Sequence, residues 1–152
     1  MGLDYSLMLS TCLERARALG LIAEHIQGLQ WGEENAFLFG ADIIVTVIKP
    51  DVEAQSIVEE GFGFRPSLSV GFRFPSNHDN ERFAQAMLRG ALLLLEHGGD
   101  GVLLFNGEII VLRRIGEQLV FNADYKPYGD ERWLKGKVSV PFERWSIPSP
   151  FL

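Results

Sequence analysis

Residues 101–122 read Gly-Val-Leu-Leu-Phe-Asn-Gly-Glu-Ile-Ile-Val-Leu-Arg-Arg-Ile-Gly-Glu-Gln-Leu-Val-Phe-Asn. Asn106-Gly107 between two apolar runs is the strongest short-range hairpin signal a sequence carries, because both central positions of the tightest turn need positive φ. A two-residue turn there pairs Phe105 with Glu108, Leu104 with Ile109, Leu103 with Ile110 and Val102 with Val111. Asp100 then falls opposite Arg113, an opposite-charge cross-strand pair. A second turn near Ile115-Gly116 sets Arg114 opposite Glu117 and Leu112 opposite Leu119. Leu103, Phe105, Ile110, Leu112 and Phe121 share one face. Val102, Leu104, Ile109, Val111 and Val120 share the other. Both faces are apolar, so this meander is central in its sheet and needs cover on both sides. Helices are expected on one face, and the C-terminal tail or a partner on the other.

Outward from the meander, Leu3, Tyr5, Leu7 and Leu9 alternate with less apolar residues as a half-buried strand does. Thr11-Cys12-Leu13-Glu14 reads as a capping box opening a helix, with Cys12 in its first turn and His25 in its last. Gly20 weakens that helix. Gln30 to Gly40 brackets an acidic turn, Glu33-Glu34, with Trp31, Phe37 and Phe39. Ala41 to Ile48 is a β-branched strand ended by Pro50. Asp51 to Glu60 suits a short helix or a loop. Ser67 to Phe74 alternates again. Asn77 or Asp79 can cap a helix whose stripe is Phe83, Met87, Leu88, Ala91, Leu94 and Leu95, and Gly98-Gly99 can end it. After Asp124 the chain turns aromatic and Pro-rich. The expected fold is α+β: a single domain, residues 1–152, as a two-layer sandwich. Its mainly antiparallel sheet has five to seven strands, with two main helices on one face and a long C-terminal tail.

The chain has 152 residues, 47% of them hydrophobic, and a formal charge of −6. That length and composition suit a proper core. The acidic balance argues against a nucleic-acid binder, which clusters Lys and Arg on its surface. One cysteine, Cys12, permits no internal disulfide and no Cys-based metal site. No signal peptide is legible, and the apolar runs are far shorter than the ~20 residues that span a bilayer. A cytoplasmic protein with no membrane partner is expected.

Catalytic signatures are sparse. His25, His78 and His97 have no second ligand at metal spacing. Gly61-Phe62-Gly63 precedes a strand, whereas a dinucleotide fingerprint follows one. Neither a metal nor a cofactor is expected. The residues that suit a partner are the loop acids Glu33 and Glu34 and the tail aromatics Tyr125, Tyr128 and Trp133, since acids steer a basic partner and Tyr and Trp dominate binding hot spots. Glu59-Glu60 is a second acidic pair. Replacing Tyr128 or Trp133 by Ala is expected to weaken binding without unfolding the chain.

The string Val102-Leu-Leu-Phe-Asn-Gly-Glu108, with Arg113-Arg114, a Gly turn and Leu119-Val-Phe-Asn122, resembles the hallmark segment of SitI-type immunity proteins. Leu3-Asp-Tyr-Ser-Leu7, Gly61-Phe-Gly-Phe-Arg-Pro66 with Val70-Gly-Phe-Arg73, and Val140-Pro-Phe142 with Ile147-Pro148 are also similar to that family. The resemblance implies a cytoplasmic, non-catalytic protein that binds and neutralises a cognate toxin of the swarm-inhibition or polymorphic class. It carries no catalytic motif over. Two other readings stand beside it. One is a homo-oligomer, such as a homodimer, joined through the second apolar sheet face. The other is a small-molecule enzyme whose site converges from residues such as His25, His78, Asp42 and Arg73.

Overall fold

In the computed structural model, which describes residues 2–40, 43–75 and 80–150, the chain builds one sheet of nine strands. The elements are β1 (Gly2–Thr11), α1 (Arg15–His25), β2 (Gln30–Trp31), a 3-10 turn (Glu33–Asn35), β3 (Phe37–Phe39), β4 (Ile44–Ile48) and α2 (Val52–Phe62). Then follow β5 (Leu68–Pro75), α3 (Asn80–Glu96), β6 (Gly98–Phe105), β7 (Ile109–Ile115), β8 (Gln118–Asn122), α4 (Glu131–Leu134) and β9 (Phe142–Trp145). The strand order is β2-β3-β4-β5-β1-β6-β7-β8-β9. Every neighbouring pair is antiparallel except β8 and β9, which are parallel.

The α+β class and the mainly antiparallel sheet agree with the sequence. The strand count does not, because β2, β3 and β9 span only two, three and four residues. Pieces that short show no alternation to read. Caps expected at Asn77 or Asp79, and the residues Ala41, Asp42 and His78, lie outside the described residues.

The core is organised by register. Val47, Val70, Leu7, Leu103, Leu112 and Phe121 form one row across six strands, and each is fully buried. This row faces α1 and α3. α1 presents Ala18, Leu19, Leu21 and Ile22 to it, and α3 presents the expected stripe from Phe83 to Leu95. The second face carries a smaller core of Met8, Val102, Leu104, Ile110 and Val120. Val58 of α2, Phe64 and Ile147 close over it. The second face is therefore covered in part by a helix, making three layers there where two were expected. Asp51 Oδ1 caps that helix by accepting the Ala54 N–H at 2.8 Å.

The meander forms with a shifted register. Asn106 and Gly107 take φ of 53° and 72°, as the turn chemistry requires. Pairing nevertheless resumes at Phe105–Ile109, leaving Glu108 as a third loop residue. A bulge between Leu103 and Leu104 follows, pairing them with Leu112 and Ile110. Val111 is the extra residue, so Ile110 and Val111 exchange the faces expected of them. The next turn is Gly116-Glu117, both at positive φ, which sets Arg114 opposite Leu119 and Leu112 opposite Phe121. Asp100 accordingly meets the turn and not Arg113: its carboxylate accepts the Gly116 N–H at 3.0 Å.

Two other local expectations change. The capping box does not form, because Thr11 still belongs to β1 and its hydroxyl accepts the Leu13 N–H at 3.0 Å. α1 begins at Arg15 and Cys12 is exposed before it. Gly98 and Gly99 start β6 instead of capping α3. Close approach explains Gly98: a Cβ there would lie 2.8 Å from Leu9 Cδ1 and 3.2 Å from the Ser10 carbonyl.

Candidate functional site

The expected partner-facing residues fall into two groups at opposite edges of the sheet. Glu33 and Glu34 occupy the turn between β2 and β3 and are exposed. Arg15 braces this region from α1, donating from Nη2 to the Ala36 carbonyl at 3.0 Å and from Nε to the Val47 carbonyl at 2.7 Å. The structure does not bring these acids together with the tail aromatics. Glu59 and Glu60 lie on α2, and Glu59 pairs with Arg65 at 3.1 Å.

The tail aromatics lie between β8 and β9 and pack on the helix-covered face, not the second face. Tyr128 is 1% exposed. Its hydroxyl donates to the Ala84 carbonyl of α3 at 3.1 Å, and its ring meets Tyr125 and Trp133 at centroid distances of 6.3 and 5.2 Å. It anchors the tail and presents no surface to a partner. Tyr125 is half-buried and its hydroxyl meets that of Tyr5 at 2.7 Å. Trp133, also half-buried, donates its indole N–H to the Glu81 carboxylate at 2.8 and 2.9 Å. The Lys137 ammonium stands 4.6 Å over the same ring. Hydrogen bonds from Gln85 and Trp133 hold the Glu81 carboxyl below its ordinary pKa. Trp145 is separate, on β9, with the Arg113 guanidinium 5.4 Å over its ring.

Asn122 was not singled out from the sequence, and it ties the tail to the sheet. It is 4% exposed. Its Nδ2 donates to the Ile110 and Ile147 carbonyls at 2.7 and 3.3 Å, and its Oδ1 accepts the Asp124 and Ile147 N–H groups at 3.0 and 3.4 Å. Asp124 also accepts a short hydrogen bond from the Ser146 hydroxyl. Arg144 of β9 donates to the Gly129 carbonyl at 2.8 Å. The signal was a lone Asn at a strand end, which reads equally well as an ordinary turn residue.

All three tyrosines of the chain, Tyr5, Tyr125 and Tyr128, meet in this one cluster. Burial pushes each phenol above its ordinary pKa; the Tyr5 hydroxyl also raises Tyr125. A group whose pKa is higher folded than unfolded contributes stability that is whole below the unfolded value and is lost as pH rises past it. Alkaline spectrophotometric titration should therefore show less phenolate absorbance around the usual tyrosine pKa of ~10 than three free tyrosines would give. Phenolate should appear at higher pH together with loss of structure. A normal titration of even one tyrosine in the folded protein would contradict the cluster.

Of the convergent-enzyme set, His25 and Arg73 lie among the described residues. His25 Nδ1 bonds the Leu21 carbonyl of its own helix at 2.9 Å. Arg73 lies on the second sheet face beside Asp4 at 3.5 Å. His97 Nδ1 bonds the Leu93 carbonyl at 3.0 Å near the end of α3. Among the described residues no three His, Cys, Asp or Glu side chains gather to hold a metal. A concavity of about 610 Å³ runs between α3 and the tail and is lined by Leu88, Leu92, Val140, Arg89 and Lys137. Arg114 borders it but is occupied, donating to the Leu95 and Gly99 carbonyls at 3.2 and 3.1 Å. No described helix is long and apolar enough to cross a membrane.

Residues 3–132 match the family described as SitI3-like. The chain belongs to the SitI3-like family. No curated protein and no solved structure matches it. The SitI3-like match runs from β1 into α4, so it includes the six-strand buried row, Asn122 and the three tyrosines. Trp133 and β9 fall after it. The match thus spans β1 to β8, the three longer helices and the start of the tail.

Proposed function

We propose that this chain is an immunity protein that binds a cognate toxin and neutralises it without catalysis. The observation that carries this is the SitI3-like match over residues 3–132. Two physical features support it. Of the candidate enzymatic set, the His25 ring is spent on its own helix backbone and Arg73 on the Asp4 carboxylate. The described surface also leaves the acids Glu33 and Glu34 and the apolar side chains of Ile44 and Ile48 exposed, and exposed apolar patches mark interaction sites. In this reading Glu33 and Glu34 face the toxin from the β2–β3 turn. Tyr125, Tyr128 and Trp133, at the opposite edge and on the helix-covered face, act by holding the tail. The protein works in the cytoplasm, where the incoming toxin acts.

The test is co-expression with the toxin domain encoded beside it, scoring host survival and then co-purification. Survival with a stable complex is the expected result. Survival with no complex would point to enzymatic protection instead, and death with both proteins folded would remove the immunity reading.

A further inference from the structure

Eight large apolar side chains are exposed among the described residues, and six of them come from one stretch: Trp31, Phe39, Ile44, Ile48, Val52 and Ile57. Register explains part of this. Ile48, Ser69, Met8 and Val102 form one row across β4, β5, β1 and β6 on the second sheet face. The Met8 and Val102 end of that row belongs to the core under α2. The other end is open, and Ile48 is 58% exposed. Ile44 pairs directly with Phe39 on the same face, at 45% and 37% exposure. Between open and covered halves lie small residues, Ser69, Gly71 and Ser6. Phe39, Ile44 and Ile48 thus stand exposed on one face of β3 and β4, and Val52 at the start of α2 is 69% exposed.

The charge of the chain gathers on the same stretch. Residues 31–60 hold seven of the twenty acids and one of the fourteen bases, Lys49, a balance of −6. The rest of the chain holds thirteen of each. A balance equal to the net charge of the protein therefore lies in the segment that carries six of these eight exposed apolar side chains. An apolar centre with a polar rim is the anatomy of a specific interface, and the rim sets which partner is accepted; here it is mainly acidic, and Arg73 beside Ile44 is already paired with Asp4. A second copy of this chain is disfavoured here, since a two-fold contact would bring two such acidic segments together.

We propose that the open β3–β4 face, with the β2–β3 turn and the exposed side of α2, docks a protein surface whose apolar centre is ringed by Lys and Arg. This rests on the binding reading above and makes that basic surface the toxin's. The acids Glu33, Glu34 and Glu53 steer association, and Phe39, Ile44 and Ile48 hold the complex.

The experiment measures affinity and association rate for the purified toxin domain encoded beside this chain. It compares the native protein, Ile44→Ser/Ile48→Ser, Glu33→Lys/Glu34→Lys, and a control reversal, Glu108→Lys/Glu117→Lys, at the exposed meander turns. All substituted side chains are exposed, and circular dichroism checks their folding. The serine pair should weaken binding by roughly 100-fold, mostly through dissociation. The Glu33 and Glu34 reversal should cut the association rate by about 10-fold and flatten its salt dependence. The control should change affinity by less than about 3-fold. Unchanged affinity in the serine pair, with the native protein binding, would overturn the docking face and leave the immunity reading standing. No binding by the native protein would defeat the immunity reading itself. A native dimer that the serine pair dissociates would make a second copy the occupant and overturn the proposal.

Discussion

Tyr128→Ala should destabilise the fold by about 3–5 kcal/mol, the usual cost of removing a buried aromatic ring. The residue is 1% exposed and is the largest of the fully buried side chains. Its ring sits between Tyr125 and Trp133, and its hydroxyl satisfies the Ala84 carbonyl. In a domain of ordinary stability, about 5–15 kcal/mol, that is a large share of the total. For a domain of this length it should lower the melting temperature by roughly 10–15 °C. Tyr128→Phe removes only the hydrogen bond and should cost about 1 kcal/mol. Thermal unfolding of the two variants separates ring from hydroxyl. Equal and small shifts would mean the tail is not anchored through this ring. The expectation from sequence was different, that this substitution would touch binding and spare the fold. Sequence shows an aromatic in a loop but not which side of the sheet the loop folds onto.

Asn122→Leu is the second large effect. The side chain is nearly isosteric and apolar, so cavity formation is small and the loss is in hydrogen bonding. Four backbone groups lose their partner, two of them on Ile147. An orphaned buried polar group costs about 1–3 kcal/mol, and a total near 3 kcal/mol is expected because some of these groups can regain water. The loss should be local first. Ile147 closes the smaller core on the second face, so its release should open the tail before the sheet. Hydrogen exchange should show faster exchange at Asp124 and Ile147, with protection kept in the β1, β5 and β6 centre. Uniform loss of protection would instead place Asn122 in the cooperative core.

Much of the architecture was legible in residues 101–122 and in the α3 stripe. Period-two and period-3.6 patterns are strong where an element is long and one face is buried. Details failed where chemistry is shared between outcomes. An Asn-Gly turn does not say whether pairing restarts after two or three residues, and one added residue moves every later side chain. The bulge at Val111 is invisible in a run where Ile110, Val111 and Leu112 are all apolar. Thr11 and Glu14 fit a cap by type, but β1 runs one residue further and takes Thr11. Gly98 and Gly99 fit a helix stop by type, yet packing against β1 decides their role.

The candidate surface was legible in fewer parts. Glu33 and Glu34 are exposed as expected. Tyr125, Tyr128 and Trp133 do cluster, but inward, against Glu81, Ala84 and Tyr5. The apolar face of β3 and β4 was hidden because β3 is too short to show alternation and β4 gives no hint of which half of the sheet α2 would cover. The coincidence of that face with the acidic stretch needed the register.

The most direct test of the central claim is titration of the purified chain into its purified toxin domain while the toxin's activity is followed. A non-catalytic binder removes activity in proportion to the amount added, reaching completion near equal molar amounts and independently of preincubation time beyond association. That is the expected result. Complete loss of activity at a small fraction of an equivalent, growing with time, would show turnover and contradict the account.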